Sequence, residues 1–250
     1  MKIRKDIKAK QISNKEISEF VNANRDEDFF GGVNMTTDEA FKFLKDNFKT
    51  EFSDGKVDLT SGNIERVMQW IAKWLTQDES IGEDALRRGI LLYGEPGVGK
   101  TELMNAVMKL FRENKTCFGR KDDKKSYAYT NGTLVTAKKY DYNDLRTSLL
   151  FDKDSNYKTF NDCKDSMFSF IDDIGYCYDN GNIKYYGNDI NITQDLLTYR
   201  YANKLYTFAT SNSAEFSDKE ALSDRVDAMF TIIEVTGISR AKRKLNIVKL

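Results

Sequence analysis

Three apolar runs, with helical patterns between them, organise most of the chain. Ile90, Leu91, Leu92 and Tyr93 are consecutive, as in a strand covered on both faces of a parallel sheet. Beyond the next turn, Leu103, Met104, Val107, Met108 and Phe111 recur at helical spacing. A second run, MFSFIDDIG (167–175), ends in two acids, and a third, KLYTFATSN (204–212), ends in small polar residues. Both read as buried strands. ITQDLLTYRYANKL (192–205) is the helix expected between them, and EALSDRVDAMF (220–230) a short helix carrying Arg225, followed by the strand TIIEV (231–235). Alternation of strands with helices in this order predicts an α/β fold with a parallel sheet between helical layers, an αβα sandwich.

The remaining segments give weaker patterns. SYAYT (126–130) reads as a strand, TAKKYDYNDLRTSLLF (136–151) as a helix, and the polar residues 152–165 as a loop. Residues 175–189, GYCYDNGNIKYYGND, are rich in Gly, Asn and Tyr and read as an irregular excursion whose tyrosines stack on bases or cover apolar surface. Upstream, Phe41, Leu44, Phe48 and Phe52 suit one helix, and Val67, Trp70, Ile71, Trp74 and Leu75 share a face of another. That tryptophan face is expected to pack on the rest of the molecule as core, a partner groove being the alternative. Residues 1 to about 30 are polar and basic and are expected to be weakly ordered or held by a partner. We divide the chain into a helical, partner-binding region over 1–80 and a nucleotide-binding domain over 81–250.

The chemistry is concentrated at the ends of the apolar runs. GEPGVGKT (94–101) lies between the first strand and its helix and fits G-x-x-x-x-G-K-[ST] in full. Gly94, Gly97 and Gly99 let backbone N–H groups turn inward around a phosphate, and the following helix adds its N-terminal partial charge. The nucleotide-binding set runs through Gly94, Glu95, Pro96, Gly97, Val98, Gly99, Lys100, Thr101 and Glu102. Within it Lys100 faces the β- and γ-phosphates, Thr101 offers a hydroxyl to Mg²⁺, and Pro96 stiffens the loop but has no N–H to donate. Asp172 and Asp173 end the second run at the sheet edge where open α/β folds place ligands. Asp172 is the expected second Mg²⁺ ligand and Asp173 the group that orients or deprotonates the attacking water. Asn212, at the end of the third run, would hold that water; as the second half of a Ser–Asn pair it also suits a plain turn.

Composition narrows the classes. The 250 residues carry 39 basic and 39 acidic side chains, so the molecule as a whole has no nucleic-acid footprint, although basic residues cluster at both ends. No histidine is present, which removes His-based triads and His metal sites. The three cysteines are scattered with no C-x-x-C pair, and no apolar run reaches membrane-spanning length; a reducing cytoplasm is the expected location, with no membrane partner.

Taken together, RGILLYGEPGVGKT (88–101), FSFIDDIG (168–175), LLTYRYANKLYTFATSN (196–212), LSDRVDAMF (222–230) and GISRAKR (237–243) resemble the AAA+ ATPases, and within them the DnaC/IstB-type helicase loaders. The resemblance covers roughly residues 85 to 245. It implies a P-loop NTPase core of AAA+ type in which Lys100 and Thr101 match Walker A, Asp172 and Asp173 Walker B, and Asn212 sensor 1. Arg225 matches the arginine finger, directed at ATP on a neighbouring subunit, and Arg240 matches sensor 2, with Arg243 close enough to compete. Alone, Arg225 is an ordinary helix charge. The departures are Asp173 where the family often has Glu, and a longer tyrosine-rich excursion; the N-terminal region has no match. The implied function is an ATP-hydrolysing DNA replication protein that uses ATP and Mg²⁺, self-assembles, and meets single-stranded DNA and a replicative helicase. An IstB-like transposition helper shares the same core, and a P-loop kinase or a nucleotide-dependent adaptor remain alternatives from other classes.

Overall fold

The computed structural model describes residues 29–33, 35–50, 59, 62–113, 116–120, 127–130, 138–151, 157–166, 168–175, 182–185, 188–212 and 220–237. Its centre is a five-stranded, wholly parallel sheet. The apolar runs form its middle: β2 (Gly89–Tyr93), β6 (Phe168–Asp172) and β9 (Tyr206–Ser211), with β5 (Lys138–Asp141) and β10 (Phe230–Glu234) at the two edges. The order across the sheet is β10-β2-β9-β6-β5. The strand that leads into the glycine-rich loop is thus separated from the acidic strand by β9.

Strand periodicity sends alternate residues to opposite faces, and each face meets its own helical layer. Ile90, Leu92, Phe168, Phe170 and Phe208 share a core with α1 (Thr37–Thr50), α2 (Ile64–Leu75) and α4 (Lys100–Glu113). Leu91, Ile171, Ala209 and Phe230 face α5 (Tyr142–Phe151), α6 (Tyr157–Asp165), α7 (Ile192–Ala202) and α8 (Glu220–Met229). This is the αβα sandwich that the alternation of elements predicts. A short α3 (Glu83–Arg87) links α2 to β2.

Trp74 settles the use of the tryptophan face. It is buried, its ring edges meet Phe168 and Tyr206 at 6.2 and 6.5 Å, and its Nε1 donates to Arg88 O at 3.0 Å. Trp70 is partly buried against the same core. The face is core, packed on the sheet, and is not left open as a groove.

Three sequence expectations change, and a fourth element is placed. Residues 138–141, read as the start of a helix, form edge strand β5, because a sheet edge tolerates Lys138, Lys139 and Asp141; Asp141 Oδ1 then accepts from the N–H groups of Asn143 and Asp144 and starts α5. Residues 157–165, read as loop, form α6, which buries Phe160 and Cys163, three positions apart, among its described side chains. Within the tyrosine-rich excursion, β7 (Asn182–Tyr185) and β8 (Asn188–Asn191) pair as an antiparallel hairpin. SYAYT does supply a strand, β4 (Tyr127–Thr130), but it joins β3 (Thr116–Arg120) and β1 (Phe29–Val33) in a separate antiparallel sheet. The basic N-terminus before Phe29, residues 176–181, Phe52, Arg240 and Arg243 lie outside the described residues.

One buried cation ties the second layer to the sheet. Arg200, on α7, is fully buried and donates from Nη1 to the carbonyls of Cys163 (2.6 Å) and Ser166 (2.8 Å), from Nη2 to Tyr206 O (2.5 Å) and from Nε to Thr207 Oγ1 (2.8 Å). It thereby satisfies the C-terminal end of α6 and the start of β9 together. Burial pushes its pKa down to about 10, which leaves it cationic at neutral pH. Arg200→Met is expected to lower stability by about 2–4 kcal/mol, since each buried carbonyl left without a donor costs roughly 1–3 kcal/mol. Arg200→Lys should recover only part of that, because one ammonium cannot reproduce the planar fork. Urea midpoints at constant m-value measure both.

Candidate functional site

Strand β2 stops at Tyr93 and helix α4 starts at Lys100, so residues 94–99 form a loop at the C-terminal edge of the sheet. Gly94, Gly97 and Gly99 have φ of 148°, 79° and 105°, conformations that side-chain-bearing residues rarely adopt. At Gly94 there is also no room: a Cβ would lie 2.2 Å from Val235 O. Glu95, Pro96 and Gly97 are exposed, whereas Val98 packs against the core and anchors the far side of the loop.

Lys100 is the buried end of this loop, 4% exposed. Its Nζ donates to Gly94 O (2.8 Å), Glu95 O (3.0 Å) and Asn212 Oδ1 (2.9 Å). Burial lowers its pKa, and the carboxylates of Asp173, Asp172 and Glu102 work against that shift. Glu102, in the first turn of α4, is thus part of the local charge balance. The structure brings Lys100 and Asn212, 112 residues apart in sequence, into direct contact.

Asp172 ends β6 and is buried. Its Oδ1 accepts from Thr101 Oγ1 (3.0 Å) and Thr210 Oγ1 (2.5 Å), and its Oδ2 lies 2.7 Å from Lys139 Nζ. Asp173 follows with φ 55°, the left-handed region, which turns the chain sharply out of the strand. Its N–H donates to Thr210 Oγ1 at 2.9 Å, and Ile174 N–H to Thr210 O at 2.8 Å. Burial raises the Asp173 pKa, Asp172 beside it raises it further, and Lys100 opposes both.

Thr210 and Lys139 are site residues that the sequence reading missed. Thr210 uses one hydroxyl to hold both acids, donating to the side chain of Asp172 and accepting from the backbone of Asp173. It is visible as a polar residue two positions before Asn212 at the end of a strand, but nothing local pairs it with Asp172. Lys139 was hidden inside a segment read as helix.

Arg225 stands apart from this set. It is half-buried on α8, and its hydrogen bond among the described residues goes from Nη1 to Thr198 Oγ1 (3.0 Å) of the same chain. Arg240 lies outside the described residues, so its expected role finds no counterpart in the geometry.

The residues fit the groups that the loop implies. Thr101 and Asp172 present hard oxygen donors side by side, the type Mg²⁺ takes. Among the described residues, no group of three or more His, Cys, Asp or Glu side chains forms a protein-only metal cage. A site of one hydroxyl and one carboxylate is completed by substrate phosphates and water, as Mg²⁺ sites at nucleotides are.

The sheet order, the loop from β2 to α4 and the acids at the end of β6 define a P-loop NTPase fold. No protein-family profile and no curated protein sequence matches the chain. Solved structures with a similar fold include the DnaC helicase loader, 17% identical over 78% of this chain and 99% of that one, TM-score 0.46. DnaI is 18% identical over 80% of this chain and 92% of that one, TM-score 0.47. AMPPCP-bound DnaA from Aquifex aeolicus is 14% identical over 73% of this chain, which spans 49% of it, TM-score 0.46.

Proposed function

We propose that this chain is an ATPase of DNA replication, a loader that assembles on single-stranded DNA and on a replicative helicase. The observation that carries the ATPase part is the convergence of two strand ends, those of β9 and β6, on one loop: Lys100 meets Asn212, and Thr101 meets Asp172. The loader part rests on the order of motifs over residues 88–243. In this reading the backbone of 94–99 and Lys100 bind the phosphates, and Thr101 and Asp172 hold Mg²⁺, which supplies charge neutralisation at the β- and γ-phosphates. Asp173 accepts the proton of the attacking water, Asn212 orients that water, and Arg225 and Arg240 act on nucleotide at subunit junctions. The apolar face of α2 is taken up by the core, so in this reading the partner meets other parts of residues 1–80. The location that goes with this function is the cytoplasm; among the described residues, no helix is long and apolar enough to cross a membrane.

ATPase assays with and without single-stranded DNA test this reading directly. DNA should stimulate turnover, and DNA binding should require ATP and weaken steeply with salt. Binding indifferent to both nucleotide and salt would remove the loader reading and favour a kinase or an adaptor.

Asp173 gives a prediction with two independent readouts. Asp173→Asn should keep ATP binding and lose turnover, because the metal ligands Thr101 and Asp172 remain while the proton acceptor is gone. It should also raise Tm at neutral pH. The folded state raises the pKa of Asp173 above 3.8, so its charged form carries a penalty present above the raised value and absent below 3.8. The Tm gain should therefore shrink as pH falls through that window. Asn is also well tolerated at φ 55°. A variant that turns over ATP at the wild-type rate would show that Asp173 is not the base.

A further inference from the structure

Lys139 lies on the one carboxylate that the proposed metal site contains. It projects from edge strand β5, its Nζ 2.7 Å from Asp172 Oδ2 and 3.4 Å from Asn105 Oδ1, one helical turn beyond Thr101 on α4. Residue alternation puts Tyr140 in the opposite core, which leaves Lys139 on the α4 side of the sheet. Both oxygens of Asp172 are thereby used, Oδ1 by the hydroxyls of Thr101 and Thr210 and Oδ2 by Lys139.

This ion pair is not needed to join the strands. The backbone ladder already pairs Lys138 through Asp141 with Ser169 through Asp172. The two partners are also unequally free: the side chain of Asp172 is 7% exposed and that of Lys139 is 30% exposed. A buried carboxylate stripped of its cation is strongly unfavourable, so Asp172 requires a positive partner in every state. Lys139 has a route to solvent along the sheet edge and Asp172 does not.

We propose that Lys139 is the resident counter-cation of Asp172, a positioning residue that neutralises and aims this carboxylate without nucleotide and yields it to the divalent ion on loading. It thereby sets how tightly the metal is held. The inference rests on the nucleotide-site reading above. Whether Lys139 swings away or stays nearby when the ion arrives, the sign is the same: it competes for, or repels, the incoming charge.

The test is a titration of Mn²⁺ into the full chain with saturating ADP, the free ion being read by its EPR signal. Lys139→Met should tighten Mn²⁺ binding by about tenfold, a modest effect for one like charge removed within a few ångströms. Lys139→Gln, which keeps a polar head for Asn105, should tighten it similarly, and Lys139→Arg should leave it near wild type. Asp172→Asn should weaken Mn²⁺ binding, and adding Lys139→Met to it should give a smaller gain than Lys139→Met gives alone. A merely structural lysine would not move the metal affinity upward. Unchanged or weaker Mn²⁺ binding by both Lys139→Met and Lys139→Gln, with circular dichroism and melting as in wild type, overturns the inference. If Asp172→Asn still weakens Mn²⁺ binding and Lys100→Ala still weakens ADP binding in that case, the nucleotide site stands and only the role of Lys139 falls. If neither does, the nucleotide-site reading fails and takes this inference with it.

Discussion

Lys100→Ala is expected to abolish measurable ATP hydrolysis and to weaken ATP binding. Removing a single preorganised group that faces developing charge costs about 10²–10³ in rate even where its charge is only partial, and Lys100 carries a full charge. That charge is held by two loop carbonyls and Asn212, with Lys100 itself buried. Binding a triphosphate exchanges those three neutral acceptors for anionic oxygens, a gain available only while the ammonium is present. Lys100→Arg tests the geometry separately. It retains the charge, but its planar fork cannot aim three donors at the points that an ammonium reaches, so it should bind ATP better than Lys100→Ala and hydrolyse it almost as poorly. Equilibrium binding of a fluorescent ATP analogue together with phosphate release measures both effects. A Lys100→Ala protein that still turned over at a tenth of the wild-type rate or more would show that the loop is not the catalytic one.

How much of this was legible in the sequence follows from where the information lies. Strands β2, β6 and β9 are buried on both faces, so their apolar runs mark them without context, and the glycines of 94–99 mark the loop because their backbone angles exclude other residues. The edges were harder. β5 has only Tyr140 as an apolar member, since one side of an edge strand needs no partner and Lys139 faces an acid rather than a core. Among its described side chains α6 buries Phe160 and Cys163, too few to register as a helical stripe, and its C-terminus is satisfied by Arg200 from another element. Within the site, residues belonging to a contiguous motif were found, while those supplied across strands were not. Thr210 and Lys139 reach Asp172 only because β9 and β5 flank β6, a fact of sheet order that no local pattern contains. The same holds for the contact of Lys100 with Asn212, where the two residues were each legible and their meeting was not.

Arg225→Ala is expected to remove most DNA-stimulated ATPase while leaving nucleotide binding and the fold nearly intact. An arginine that stabilises charge on a neighbour's γ-phosphate contributes roughly 10³–10⁵ in rate where such groups have been measured. Its cost to folding should be small. In the single chain Arg225 makes a half-buried hydrogen bond to Thr198 Oγ1, worth about 1 kcal/mol, whereas Val226 and Met229 are the buried side chains among the described residues of α8. That bond holds the guanidinium on Thr198 of α7, and the proposed catalytic use of it is directed at a neighbouring subunit. Mixing Arg225→Ala with Lys100→Ala subunits isolates this point. Each variant alone has every junction dead, one for want of the arginine and the other for want of the phosphate-binding lysine. In an equal, random assembly about a quarter of junctions join an intact arginine to an intact loop, so a corresponding part of the activity should return. Recovery that depends on the mixing ratio and passes through a maximum near equal amounts can come only from action between subunits. A mixture as inactive as its components, under conditions where wild type assembles, would instead leave Arg225 as a helix charge hydrogen-bonded to Thr198 and nothing more.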